Sequence, residues 1–314
     1  EEIENKYKEE LALYDPAYRD ETLSPKTKQV IAAIESMGSL REQRGGITYA
    51  EYDAVGQDIP DLTPAQREAL KTQAERYKEA YYIQTIIPLK RKVARDIGDV
   101  RQQLLKSPDY AASFLEDQER IMREKFANSS TYIRISDTKI GQVFESGRYK
   151  NLFELDRDKG DAPDFEIEER NDAESPFGTF AYDKERPIYG YRSEGKLDNG
   201  TLNWYGNIDL KIRKERDRDQ TFALDDTYET NSISTLDNPS AGALKSRYKE
   251  DIILDETKDL NDTDAEDETR SFTEVQIFGG VGVQDIEEII LGPDVDEESL
   301  PSVVRNSGIP IRRR

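Results

Sequence analysis

Glu274-Val275-Gln276-Ile277-Phe278-Gly279-Gly280-Val281 alternates polar and apolar side chains and then stops on two glycines. Period-two alternation marks a strand with one face on a core. Consecutive glycines mark a tight turn. Gly282 lengthens the glycine run, but no third glycine follows at dinucleotide-fingerprint spacing and no Gly-Lys-Ser/Thr appears, so the segment reads as a turn between strands. Beyond it, Ile286 to Leu291 reads as a second strand ended by Gly292-Pro293. Leu300 to Asn306 reads as a short helix and Ile309-Pro310-Ile311 as a last strand.

Upstream, Asp255 to Arg270 is an acidic run. Asp259, Asn261 and Thr263 fall at alternate positions of a possible calcium loop. The sixth position is Asp264 where glycine is needed, however, and the twelfth is Arg270 where glutamate is needed, which excludes an EF-hand. Residues 225–250 are polar and loop-rich. Pro187 to Glu194 and Thr201 to Ile212 flank Asp198-Asn199-Gly200, and Asn-Gly between strand-like runs predicts a hairpin. Residues 155–176 read as an acidic loop, and Tyr132 to Ser136 as a strand.

The first 130 residues carry helical periodicity. Ser24-Pro25 opens a helix containing Val30, Ile31, Ile34 and Met37 and ended by Gly38. Thr63-Pro64-Ala65-Gln66 is a capping-box start, followed by Leu70, Ala74, Tyr77 and Tyr81 on one face. The pattern continues through Ile86, Leu89, Val93, Ile97, Val100 and Leu104, with Pro88 predicting either a kink or a new helix near Ile87. Ser107-Pro108 opens a further helix with Tyr110, Phe114, Ile121 and Phe126 on its apolar side. Tyr77, Tyr81 and Tyr82 read as a packing stripe. The expected organisation is α+β: a helical domain at 1–130 and a sheet-containing domain at 131–314.

The chain of 314 residues is 35% hydrophobic and 35% charged; its 17 tyrosines argue for folded domains rather than disorder. The net charge of −21 is uneven, −4 over residues 1–130 and −17 over 131–314, which disfavours nucleic acid and anionic membrane as general partners. With no Cys and no His, disulfides, Cys/His zinc sites, cysteine nucleophiles and Ser-His-Asp triads are excluded. No apolar run is long enough to span a bilayer. The chain starts at Glu1 and its first Met is Met37, so it is expected to derive from a longer translation product. Arg312-Arg313-Arg314 is too short for a nucleic-acid site and is expected to contact acidic neighbours.

Three segments taken together resemble a known family. They are Glu185 to Tyr191, Tyr205 to Lys211, and Glu274 to Val281 with Asp285 to Ile289 after it; Phe144-Glu145-Ser146-Gly147 and Phe177-Gly178 match upstream family segments. In this order they resemble the poorly characterised bacterial and bacteriophage proteins related to ADP-ribosyltransferases. In phages such domains sit at the C-terminus of minor head proteins. The resemblance covers residues 140–314 and rests on order and spacing rather than on one motif.

The resemblance implies a split, mostly antiparallel pair of sheets around a cleft for NAD. Glu274 would stabilise the oxocarbenium-like charge formed as the nicotinamide–ribose bond breaks, and Gln276, two residues on and on the same face, would touch ribose or acceptor. Arg186 or Arg192 would hold the pyrophosphate, and Tyr189 or Tyr191 would stack on nicotinamide. No metal is implied. The chain departs from the family at Phe278, where His is common. It departs again at Leu224-Asp225-Asp226-Thr227, in place of a Gly-Asp-Ser-like segment, and at Arg148-Tyr149-Lys150, in place of small polar residues. Three readings stand: a phage-associated transferase acting on a host target, a processed virion protein with a degenerate transferase fold, and a bacterial toxin with a helical delivery region. The first two place the chain in a virion or the host bacterial cytoplasm, with protein partners bound through the helical region.

Overall fold

The computed structural model describes residues 2–106, 111–155, 164–197, 205–224, 227, 233–237, 260 and 272–314. The helices begin where their local chemistry requires. After α1 (Glu2–Tyr14), Ser24 caps α2 (Pro25–Ser36) by accepting the Thr27 N–H at 3.2 Å. Short helices α3 (Leu40–Gln43) and α4 (Tyr49–Asp53) follow. Thr63 and Gln66 exchange side-chain and backbone hydrogen bonds at 3.0 and 3.2 Å to open α5 (Pro64–Tyr81). Tyr82–Ile86 then forms a π turn that runs directly into α6 (Ile87–Leu104). The wider turn accommodates Pro88, which lacks an N–H to donate and whose ring crowds an ordinary α turn. Ser107-Pro108 lies outside the described residues; α7 (Ala112–Asn128) follows it.

The remaining elements are β1 (Ser130–Ile135), α8 (Asp137–Ser146), α9 (Asp164–Glu174), β2 (Ile188–Ser193), β3 (Ile208–Ile212), β4 (Gln220–Leu224), β5 (Ser234–Thr235), β6 (Thr273–Ile277), β7 (Ile286–Leu291), α10 (Ser302–Arg305) and β8 (Ile311–Arg313). The fold is α+β, a helical N-terminal region followed by a sheet region. The expected split pair of sheets is instead one eight-stranded sheet, ordered β5-β4-β6-β2-β1-β3-β7-β8. All described pairings are antiparallel except β7 with β8.

The hairpin expected between Pro187 and Ile212 does not form, although its Asn199-Gly200 turn lies outside the described residues. β1 lies between β2 and β3 and is antiparallel to both, so those two run parallel to each other and cannot be hairpin partners. A short turn signal specifies local chain reversal; here β1, from more than fifty residues upstream of that turn, takes the pairing edge of both arms.

One sheet face is apolar. Ile133, Leu210, Phe222, Val275 and Ile289 form a core with Leu115, Met122 and Phe126 of α7 and Ile140 and Phe144 of α8. A second core holds α2, α4 and α5 together and takes in Phe177 and Phe278 from the sheet region. Helix α6 serves both, with Val93 in the helical core and Leu104 in the sheet core. The two cores meet at the turn after β6. Phe278 is fully buried and packs edge-on to Phe177 at 5.2 Å. The Gly279 carbonyl accepts the Tyr49 N–H at 2.8 Å, and Arg216 donates to the Phe278 carbonyl at 2.5 Å while pairing with Asp219 and Asp285.

Gly279 has φ +77°, and a Cβ there would lie 2.8 Å from the Tyr49 ring. Gly279→Ala is expected to cost about 2 kcal/mol of stability, from left-handed strain plus overlap. Urea denaturation reads this directly, and an unchanged midpoint would show that the seam does not impose the constraint.

Candidate functional site

Alternation along β6 sends Val275 and Ile277 into the sheet core and Glu274 and Gln276 to the opposite face. Tyr189 and Tyr191 of β2 stand opposite Gln276 and Glu274 in register, so these four predicted site residues share one face. Glu274 is 3% exposed and Gln276 fully buried. The Glu274 Oε1 accepts the Gln276 amide at 2.9 Å, the Thr227 N–H at 3.3 Å and the Thr227 hydroxyl. Gln276 in turn accepts the Thr221 hydroxyl at 2.8 Å. The position where the chain departs from the family's Gly-Asp-Ser-like segment therefore supplies two donors to the carboxylate.

Helix α9 brings two residues to this cluster that the sequence reading missed. The Arg170 guanidinium lies 3.7 Å from the Tyr189 ring centroid, and its Nη1 is 3.4 Å from the Thr227 hydroxyl. Glu174 is buried, accepting the Tyr189 hydroxyl at 3.0 Å and the Arg186 guanidinium at 2.8 Å. Arg186 also lies over the Phe153 ring at 3.8 Å. The result is one continuous polar cluster, running from Glu274 through Thr227, Arg170, Tyr189 and Glu174 to Arg186. Burial pushes the Glu174 carboxyl above its ordinary range despite Arg186 and Tyr189, which favour its ionised form. Burial also lifts the Tyr189 phenol far above its ordinary value, so it stays a neutral hydrogen-bond donor. The residue spacing carried a signal for the missed pair: Arg170 and Glu174 are one helical turn apart, on a segment whose Ile167 and Ala173 are buried.

The other two candidates are engaged elsewhere. Tyr191 donates to Asp209 at 2.8 Å and stacks on Tyr132, and Asp209 is also held by Arg134 at 2.6 Å and Arg314 at 2.7 Å. Arg192 points to the opposite, core-facing side of the sheet, being adjacent to Tyr191 on a strand. It is 1% exposed and binds Asp217 at 2.9 Å, the Phe126 carbonyl at 2.8 Å and the Ser129 hydroxyl at 2.7 Å. It cannot share a ligand with Glu274.

These residues do not present an open dinucleotide site. Of the two candidate cations, Arg186 is neutralised by Glu174 and Arg192 faces the core; Arg170 covers Tyr189, and Thr227 and Gln276 occupy Glu274. A groove of ≈ 1300 Å³ between α4–α5 and the end of α8 includes none of the six predicted residues. Among the described residues, no group of acidic side chains is placed to hold a metal ion, and no helix is long and apolar enough to cross a membrane. What the arrangement defines is an α+β protein with an internally satisfied polar cluster on the non-core face of its sheet. Compared with protein families and with curated proteins, the chain matches none.

Arg192→Ala is expected to lower stability by about 3 kcal/mol, because it strands Asp217 and several buried acceptors; a loss below 1 kcal/mol in urea denaturation would return Arg192 to the ligand-binding candidates. Glu174→Gln tests the raised carboxyl. A carboxyl raised on folding stabilises below its unfolded pKa and loses that contribution as pH rises through its folded pKa. Wild type is therefore expected to lose stability relative to Glu174→Gln as pH rises above the ordinary glutamate range of about 4, in a denaturation series run upward from that pH. A difference that grew the other way would mean that Arg186 outweighs burial.

Proposed function

We propose that this chain is a non-catalytic, ADP-ribosyltransferase-like protein of a bacteriophage particle, in which the transferase-like sheet serves assembly and the helical region contacts other virion proteins. The observation that carries the reading is the closure of Glu274, whose Oε1 takes three internal donors while the side chain is almost wholly buried. A carboxylate that is to meet a ribose must have that acceptor available when substrate arrives.

The three departures from the family pattern agree with it. Phe278 fills the helical core, Thr227 binds Glu274, and Arg148 pairs with Glu154 at 2.5 Å. Each of these side chains makes a structural contact where the family resemblance would place ligand-binding chemistry. The placement in a phage particle rests on the resemblance to minor head proteins.

A second reading, a transferase using NAD, is favoured by the convergence of Glu274, Gln276 and Tyr189 on one face. For that chemistry Thr227 would have to withdraw from Glu274 and Arg170 from Tyr189.

Incubating the purified chain with NAD and measuring nicotinamide release, alongside label transfer to host-cell protein, separates the two. Wild type is expected to release no more nicotinamide than Glu274→Ala. Release by wild type that disappears in Glu274→Ala, with both proteins folded, would replace the structural reading with the enzymatic one.

A further inference from the structure

A groove opens between the helical and sheet regions. Its floor is apolar: Val55, Ile59 and Leu62 pack on the helical core, and Val283 and Ile309 pack on the sheet core. Its volume, ≈ 1300 Å³, exceeds that of the usual small-molecule pocket of about 300–1,000 Å³. An apolar floor of this size suits several side chains of a polypeptide.

The rim chemistry selects the kind of polypeptide. Among the lining carboxylates, Glu51 is paired with Lys184 and Arg44, Asp53 and Glu75 share Lys78, and Asp285 shares Arg216 with Asp219. Arg67, Lys71 and Arg213 are exposed and make no ion pair among the described residues. Arg67 and Lys71 are one turn apart on α5 and so share a face. Arg67 is anchored by its Nε on the Leu62 carbonyl at 3.2 Å, and Arg213 by its Nε on the Gln284 carbonyl at 2.9 Å, which leaves the outer guanidinium nitrogens of each available. Against these three cations stands Glu145, an exposed lining carboxylate without an ion pair among the described residues. The lining as a whole holds six cations and five carboxylates, a local excess of one positive charge on a chain of net charge −21.

We propose that this groove is a docking site for an acidic peptide segment of a partner protein, its apolar side chains on Ile59 and Ile309 and its carboxylates on Arg67, Lys71 and Arg213. The site contains none of the residues around Glu274, so it stands whether or not the chain turns over NAD.

Fluorescence anisotropy tests it with the full chain and a short fluorescein-labelled peptide of Asp, Leu and Ser. A matched peptide with Lys in place of every Asp serves as the comparison. The acidic peptide is expected to bind, to bind more weakly as salt rises, and to lose at least about tenfold in affinity when Arg67→Glu, Lys71→Glu and Arg213→Glu are combined. Ile59→Asp, in an irregular segment, is expected to weaken it as well, and Arg213→Glu alone keeps the test usable if the triple variant does not fold. Circular dichroism establishes which variants are folded. No binding of the acidic peptide, equal binding of the Lys peptide, or unchanged affinity in the folded charge-reversed variants would each overturn the proposal.

Discussion

The turn Phe278-Gly279-Gly280 must do two things at once, and the rest of the molecule is arranged around that demand. It ends β6, whose alternation separates an apolar core from a polar cluster, and it presents Phe278 and the Gly279 carbonyl to the helical region. Glycine in the left-handed region lets the backbone pass within contact of Tyr49 and Thr48. Arg216 then clamps the turn through the Phe278 carbonyl, with Asp219 and Asp285 balancing its charge. Tyr49 completes the clamp by hydrogen-bonding Asp219 at 3.3 Å while its ring lies under the Arg216 guanidinium. The helical and sheet regions are thus joined by buried, directional bonds as well as by apolar contact.

Buried arginines recur throughout the sheet region. Arg134, Arg192 and Arg216 are each nearly or fully enclosed, and each finds a carboxylate. Removing a guanidinium from water is costly, and its partner returns that cost only when the geometry is satisfied on all sides. Such networks add little net stability, but they penalise any alternative packing that would break them. The acidic surplus of residues 131–314 is therefore partly structural, since Asp209, Asp217, Asp219 and Asp285 are counter-charges to the arginines.

What could be read in advance follows from the range of each interaction. The caps at Ser24 and Thr63 depend on residues three apart, and the strand β6 declares itself by alternation; both were legible. The pairing of β1 between β2 and β3 depends on residues far apart in sequence, and the Asn199-Gly200 signal carried no information about it. Helix α9 was missed because its acidic composition resembles a solvated loop, whereas Arg170 and Glu174 turn inward from it. Arg192 is a different case. Its adjacency to Tyr191 already placed it on the opposite face of the strand, so parity alone separated it from Tyr189, Tyr191 and, through the register, Glu274.

The predicted site residues largely gather on one face of the sheet, yet gathering is a weaker condition than availability. Glu274, Gln276 and Tyr189 sit side by side in register, as a shared strand face requires. Each is also answered by a neighbour: Thr227, Thr221 and Glu174 accept or donate at hydrogen-bond distance. A buried polar group without such an answer costs free energy, so a chain that places these side chains beneath α9 must supply partners for them. The same requirement that makes the cluster stable withdraws its lone pairs from a ligand. Arg67, Lys71 and Arg213, by contrast, make no ion pair among the described residues and line the open seam between the two cores.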